Sequence, residues 1–450
     1  MSQNLKKRAT SATVFVLAGY GLSQLLRLAG NLVLTRLLVP EYFGIMAIAQ
    51  VFLFALGLFS DIGLAPGVIR SKRIGDPVFL NTAWTLQVIR GFVLWGLALA
   101  IAFPVAQFYN NPILLKILPV IGLAFLFTGF SSTSIFTLNK DVRLGKITAM
   151  ELTSQFIGLV VMIVLAYLYR NVWALVTGSL VICMAKMILS HFLESGNRPS
   201  FCLEGKAVHE LISFGKWIFV STAMMFLATQ SDRLLLGKFF PLTLFGVYNI
   251  AVIFAEFPKQ VMSQLSGKII FPLMVQVSEL PRHEFRGLIL EKRKLFLFPA
   301  ALLIAVFAGF GDLFIEMLYD ARYHQAGWIL PLLSVGMWPF LLNASIDRCF
   351  YAVGEPKIPA VGNFFKFVYM VTCVPLFFHF AGVFGAVLAV ALNDLPVYIV
   401  ICYGLVQEKL TCFRQDLLAT LLLVVCLGVF IIFRIMIGME AVPGSALFPA

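Results

Sequence analysis

With 450 residues, 60% of them hydrophobic and only 12% charged, the chain lacks the polar surface of a water-soluble globular protein, in which roughly 25% of residues are charged. A mean hydropathy of +0.94 makes lipid the surrounding solvent, where every backbone amide must be bonded within a helix or a closed barrel. The apolar runs are long and unbroken rather than alternating, which excludes a barrel and leaves an all-α integral membrane protein. The net charge of +12 then reads as membrane topology, not as a nucleic-acid surface.

Lys6, Lys7 and Arg8 precede the first apolar run, 12–38. That run is too long for the core of a signal peptide and carries Arg27 and Asn31, so it is read as a retained helix. Further runs lie near 42–69, 79–107, 113–137, 147–169, 172–193, 211–239, 243–271, 294–318, 326–352, 358–379, 382–406 and 415–437. This gives about 13 spans, within an expected range of about 12–14. Turn chemistry at Pro40, Asn110-Asn111-Pro112, Pro241 and Gly354-Glu355-Pro356 separates them. Basic residues favour alternate connections, 19 on one side against 6 on the other, which puts the N-terminus in the cytoplasm. The most polar long connection, Pro281 to Lys294, suggests an amphipathic cytoplasmic helix, or a solvated basic linker against anionic headgroups. The seven cysteines and five histidines are dispersed, without a CxxC. They read as filler, and no metal or other cofactor is expected.

An internal repeat divides the chain. Arg36-Leu-Leu-Val-Pro-Glu-Tyr-Phe-Gly-Ile-Met-Ala-Ile-Ala49 resembles Lys238-Phe-Phe-Pro-Leu-Thr-Leu-Phe-Gly-Val-Tyr-Asn-Ile-Ala251 at constant offset. Six spans separate the copies, so both have the same orientation, as in transporters built from parallel repeats. The expected organisation is a six-helix lobe over 1–200, a second six-helix lobe repeating it over 201–410, and an extra helix and tail over 411–450.

Ionisable residues inside spans are costly and face a cavity, the bundle interior or a partner. Tyr20, Gln24, Arg27 and Asn31 form one stripe on the first helix, and Gln50, Phe54, Gly57 and Asp61 another on the second. Arg90 lies in the third span, Asp232 and Arg233 in the seventh, Glu256 and Lys259 in the eighth. Asn343, Asp347 and Arg348 follow in the tenth, Asn363 and Lys366 in the eleventh, Asn393 and Asp394 in the twelfth. A hydrated cavity lined by both lobes accounts for them together, with Arg and Lys suited to an anion. Helix–helix ion pairing is the competing explanation for each. The substrate-binding candidates are Arg27, Asn31, Asp61, Arg90, Arg233, Glu256, Lys259, Arg348 and Lys366. No GxxxxGK[ST], HExxH or GxSxG is present, so no motif for catalysis stands out.

The opening Leu34-Thr-Arg-Leu-Leu-Val-Pro-Glu-Tyr-Phe-Gly44, Gly57-Leu-Phe-Ser-Asp-Ile-Gly-Leu64 and the basic turn Arg70-Ser-Lys-Arg73 resemble bacterial polysaccharide-export flippases. These belong to the multidrug/oligosaccharidyl-lipid/polysaccharide exporter superfamily. The resemblance implies two pseudo-symmetric six-helix lobes around a central V-shaped cavity. It also implies flipping of undecaprenyl-diphosphate-linked oligosaccharide units across the bacterial inner membrane by alternating access. It further implies a cationic cavity, coupling to a proton or sodium gradient, and work alongside a polysaccharide polymerase and chain-length proteins. Substrate and membrane lipids are the expected partners, and nucleic acid is not. The alternatives are a multidrug exporter of the same superfamily, which would favour acidic residues, and a membrane polysaccharide polymerase or ligase, which would want a large extracytoplasmic loop.

Overall fold

The computed structural model describes residues 3–60, 64–71, 73–141, 143–193, 199–266, 274, 281–352, 355 and 357–440, with the backbone alone for 3–17, 59, 66, 70, 210, 212–225, 264–265 and 352. The expected site residue Asp61 lies outside the described residues. The regular elements described are helices, and the chain divides into two compact units, Met1–Ala223 and Met224–Ala450.

The first unit contains α1 (Gln3–Leu37), α2 (Pro40–Phe59), α3 (Leu64–Arg70), α4 (Pro77–Phe108), α5 (Leu114–Ile121), α6 (Leu123–Gly129), α7 (Ser134–Lys140), α8 (Leu144–Tyr169) and α9 (Trp173–Ser190). The chain then enters α10 (Gly205–Phe239), which runs on into the second unit. Local chemistry sets the boundaries. Pro40 opens α2, where its fixed φ suits the first turn and its missing N–H costs nothing. Asp76 caps α4 by accepting from the Val78 amide at 3.0 Å. Arg170 stops α8 in the left-handed conformation, φ 48°. Outside the spans, Arg73 donates to both Asp76 and Glu204, at 2.6 Å each. The hydrogen bond from Arg73 holds the Asp76 carboxyl below its usual range.

Packing within this unit relies on small residues, as expected where lipid removes the hydrophobic drive between helices. A Cβ on Gly158 of α8 would stand 2.9 Å from the Gly178 carbonyl of α9, and one on Gly91 of α4 would stand 2.7 Å from the Phe125 carbonyl of α6. Phe156, Val160, Val164 and Leu168, four residues apart on α8, are exposed. In water such a stripe would be an aggregation surface, whereas in a bilayer it is the lipid-facing side.

The second unit contains α11 (Leu242–Ala255), α12 (Phe257–Leu265), α13 (Arg282–Leu318), α14 (Ala326–Gly336), α15 (Trp338–Ala344), α16 (Arg348–Ala352), α17 (Lys357–Ala391), α18 (Leu395–Gln407) and α19 (Phe413–Met436). Among the described residues eight helices are long and apolar enough to cross a membrane, or ten when each bent pair is one span. One of the eight, Lys357–Gln407, has 51 residues, or about 77 Å of helix. That is more than twice a hydrocarbon core of about 30 Å, so it must cross twice. Its helix breaks at Ala381 and Gly382, where φ is 55°, between the two spans expected over 358–379 and 382–406. The repeat copies sit at equivalent places, one opening α2 and the other α11.

The structure corrects the reading of residues 281–294. This segment is the first part of the continuous helix α13. Phe285 and Ile289 are buried as an amphipathic helix requires, but so is Arg293, at 1% exposure. Arg293 donates to the Ser345 hydroxyl at 2.6 Å and the Leu342 carbonyl at 2.8 Å, and pairs with Asp416. A solvated linker would have left it in water. A second buried pair, Arg434 with Asp312 at 2.5 Å, ties α19 to α13 again.

At the crossing of α14 and α17, a Cβ on Gly336 would stand 2.4 Å from the Ala391 carbonyl oxygen and 2.6 Å from its Cα. Backbone cannot swing aside as a flexible side chain can. Gly336→Val is therefore expected to lower stability by about 1–3 kcal/mol or more, read as the melting temperature of the purified protein. Gly96→Val, which meets nothing within 4 Å, serves as the control. Equal melting of the two variants would show that the crossing relaxes freely.

Candidate functional site

The second unit gathers ionisable side chains from α10, the α11–α12 junction, α17 and the start of α18. Asp232 and Arg233, neighbours on α10, diverge by about 100° as helical residues do. Asp232 accepts from the Tyr248 hydroxyl at 3.0 Å. Arg233 lies 3.8 Å from Glu256 and donates to Gln230 Oε1 at 3.3 Å. Glu256 closes α11 at a 42° bend into α12, a break that suits the Pro258 two residues on, which has no N–H to continue the ladder. The bend leaves Glu256 between Arg233 and Lys259, the latter at 3.6 Å. Lys259 also lies over the Phe340 ring, 5.0 Å from its centroid.

Lys366 and Asp394 form the tightest pair of the cluster, 2.7 Å apart with side chains 8% and 6% exposed. Asp394 sits at the N-cap of α18, just after α17 ends. Two cavities meet at Lys259, Lys366 and Asp394. One of about 30 Å³ reaches Asp232, Tyr248 and Glu256. The other, about 130 Å³, reaches Asn343, Asp347, Tyr351 and Asn363. Three carboxylates, Asp232, Glu256 and Asp394, thus accompany three cations, Arg233, Lys259 and Lys366. Such mutual compensation is what a low-dielectric interior requires, since an unpaired charge there costs several kcal/mol.

The structure therefore brings together Arg233, Glu256, Lys259 and Lys366. Arg348 lies beside the larger cavity, its Nε 3.8 Å from Asp347 and its guanidinium 5.8 Å from the Tyr351 ring centroid. Arg27, Asn31 and Arg90 belong to the first unit. Arg27 is exposed and Asn31 half-buried, on the stripe where Gln24 donates to Tyr20 at 2.8 Å. Arg90 donates to the Gly57 carbonyl at 2.8 Å and the Ser60 hydroxyl at 3.0 Å, at the C-terminus of α2 where the helix dipole favours a cation. Sequence reasoning missed Tyr248, which sits inside the repeat and reads as apolar. The available signal was the repeat itself, whose other copy has Met46 at the matching position. Among the described residues no three His, Cys, Asp or Glu side chains stand where they would hold a metal ion.

This helix arrangement is that of known membrane exporters. The structure aligns with the lipid II flippase MurJ in an inward closed conformation, with a TM-score of 0.66 at 13% identity over 94% of this chain and 100% of that one. It also aligns with an inward-facing multidrug resistance MATE transporter of the MOP superfamily, with a TM-score of 0.63 at 13% identity over 88% of this chain and 95% of that one. The chain belongs to the polysaccharide biosynthesis protein family, whose profile matches residues 33–327. It is 23% identical to the lipopolysaccharide biosynthesis protein WzxC of Escherichia coli K12 over 92% of this chain and 82% of that protein. It is 21% identical to the succinoglycan biosynthesis transport protein ExoT of Rhizobium meliloti over 67% of this chain and 61% of that protein.

Proposed function

We propose that this protein flips an undecaprenyl-diphosphate-linked oligosaccharide from the cytoplasmic to the periplasmic leaflet of a bacterial inner membrane, by alternating access and with its N-terminus in the cytoplasm. The observation that carries the reading is the charge cluster of the second unit, in which Lys366 and Asp394 are buried and the other four are half-buried. Each charge at membrane depth costs about 2.5–3.5 kcal/mol on insertion scales, and five of the six line two small cavities in a family tied to polysaccharide assembly. Arg233 and Lys259 both face Glu256, and they are the cations that would meet a diphosphate. Asp232, Glu256 and Asp394 are the groups through which a proton or sodium gradient would drive the cycle. A polysaccharide polymerase and chain-length proteins would take the product.

The test is a deletion strain fed labelled sugar precursor, with the leaflet of the accumulated lipid-linked oligosaccharide determined. Accumulation on the cytoplasmic face is expected, reversed by the wild-type gene. Arg233→Ala is expected to cut export at least about tenfold, an effect of about 1.4 kcal/mol or more, at normal abundance in the membrane. Arg27→Ala is expected to do the same in the first unit. Periplasmic accumulation of unpolymerised units would instead make the protein part of the polymerisation step.

A further inference from the structure

The larger cavity of the second unit has a lining that the charge cluster does not explain. Lys366 is engaged by Asp394 at 2.7 Å and Lys259 by Glu256 at 3.6 Å, so the cations on its wall already have partners. Two amides, Asn343 and Asn363, and the Asp347 carboxylate supply the remaining polar groups. Asn343 and Asp347 lie four residues apart in the tenth span, on one face, and Asn363 and Lys366 share a face of α17. Asn343 is only 5% exposed, yet among the described residues neither its amide nitrogen nor its amide oxygen has a hydrogen-bond partner. The Asp347 Oδ1 and the adjacent Arg348 Nε also lack one.

Buried polar groups are ordinarily satisfied, and an orphaned amide asks what satisfies it. On the cavity wall Asn343 leaves open both a donor, Nδ2, and an acceptor, Oδ1. A phosphate only accepts at this position and would leave the acceptor unpaired. An ammonium only donates and would leave the donor unpaired. A lipid tail would satisfy neither. A hydroxyl donates and accepts at once. The cavity, about 130 Å³, is far larger than the roughly 10–15 Å³ that a single water requires. Tyr351, an amphipathic ring 45% exposed, stands on its wall. We infer that this cavity is a saccharide subsite, in which Asn343, Asp347 and Asn363 bond the hydroxyls of one sugar of the head group. The inference rests on the flippase reading and gives that site a sugar-selective part beside its charged part.

The experiment uses the full-length protein in nanodiscs of phosphatidylethanolamine and phosphatidylglycerol. The probes are the water-soluble oligosaccharide released by mild acid from the host strain's lipid-linked repeat unit and, separately, inorganic diphosphate, with binding read by calorimetry and by the shift in melting temperature. Wild type is expected to bind the oligosaccharide saturably. Asn343→Leu is expected to weaken that binding about tenfold or more, because a site built to bond hydroxyls loses its partner, and to leave diphosphate binding unchanged. Unliganded Asn343→Leu is expected to melt at or above the wild-type temperature, since it removes an unsatisfied buried amide. Asn363→Ala provides a second variant with the same expected loss. No saturable oligosaccharide binding by wild type, or unchanged affinity in both variants, overturns the subsite. In cells, Asn343→Leu flipping the lipid-linked unit at the wild-type rate overturns the subsite and leaves the flippase reading standing. A wild-type protein that flips no lipid-linked unit overturns both.

Discussion

Arg293→Met is expected to remove most of the folded protein from the membrane. Arg293 reaches across three helices, bonding the Ser345 hydroxyl at 2.6 Å and the Leu342 carbonyl at 2.8 Å at the end of α15 and pairing with Asp416 of α19. Asp416 in turn accepts from the Tyr398 hydroxyl of α18 at 2.9 Å. Removing the guanidinium leaves a buried carboxylate uncompensated, at a cost of about 3–5 kcal/mol, a large part of a total stability of about 5–15 kcal/mol. Arg293→Met combined with Asp416→Leu removes both charges and is expected to recover most of that loss, because a well-packed apolar pair forgoes desolvation as well as attraction. Lys292→Met is the contrast. Its pair with Glu291, 2.8 Å apart, has side chains 49% and 65% exposed, and pairs of that kind contribute about 0–1 kcal/mol. Melting temperature and monodisperse yield after detergent extraction measure all three. A single Arg293→Met variant as stable as wild type would mean that Asp416 finds another partner or gives up its charge.

The second large effect is on transport. Lys366→Met is expected to reduce export at least about a hundredfold, equivalent to about 2.7 kcal/mol, because Lys366 and Asp394 stand where the two cavities of the second unit meet. Its fold is expected to suffer less than that of Arg293→Met, since Lys259 lines the same cavities and stands near Asp394 as a second cation. The combination Lys366→Met with Asp394→Leu separates the two explanations of this pair. If it is a helix lock, the double variant is stable and exports normally. If it belongs to the transport site, the double variant is stable and still fails to export, which is the result expected here. Export rates normalised to protein abundance decide between them.

The two buried pairs differ in how visible they were. Lys366 and Asp394 lie deep in apolar runs, and an ionisable residue there announces itself whatever its partner. Arg293 stands beside Lys292 and Lys294 at the edge of an apolar run, where a snorkelling cation and a buried one have the same sequence signature. What distinguishes them is Asp416 on another helix, and no local pattern encodes that meeting. Asn343 shows the same limit. Its place among the polar residues of the tenth span was legible, but its lack of partners is a property of everything packed around it.

By itself the sequence determined the solvent and the helical class. These follow from hydropathy and from the cost of unpaired backbone in lipid, both of which act over one or two helical turns. It placed the break in α17 between the two spans it expected there. Only the tertiary structure decided which charges stand together around the cavities and which pair elsewhere. It also decided that the cations of the second unit are matched by carboxylates, and that Gly336 must stay bare against Ala391. Those outcomes depend on distances between side chains far apart in the chain. At membrane depth, where an unmatched charge costs several kcal/mol, such distances decide what a charged residue does.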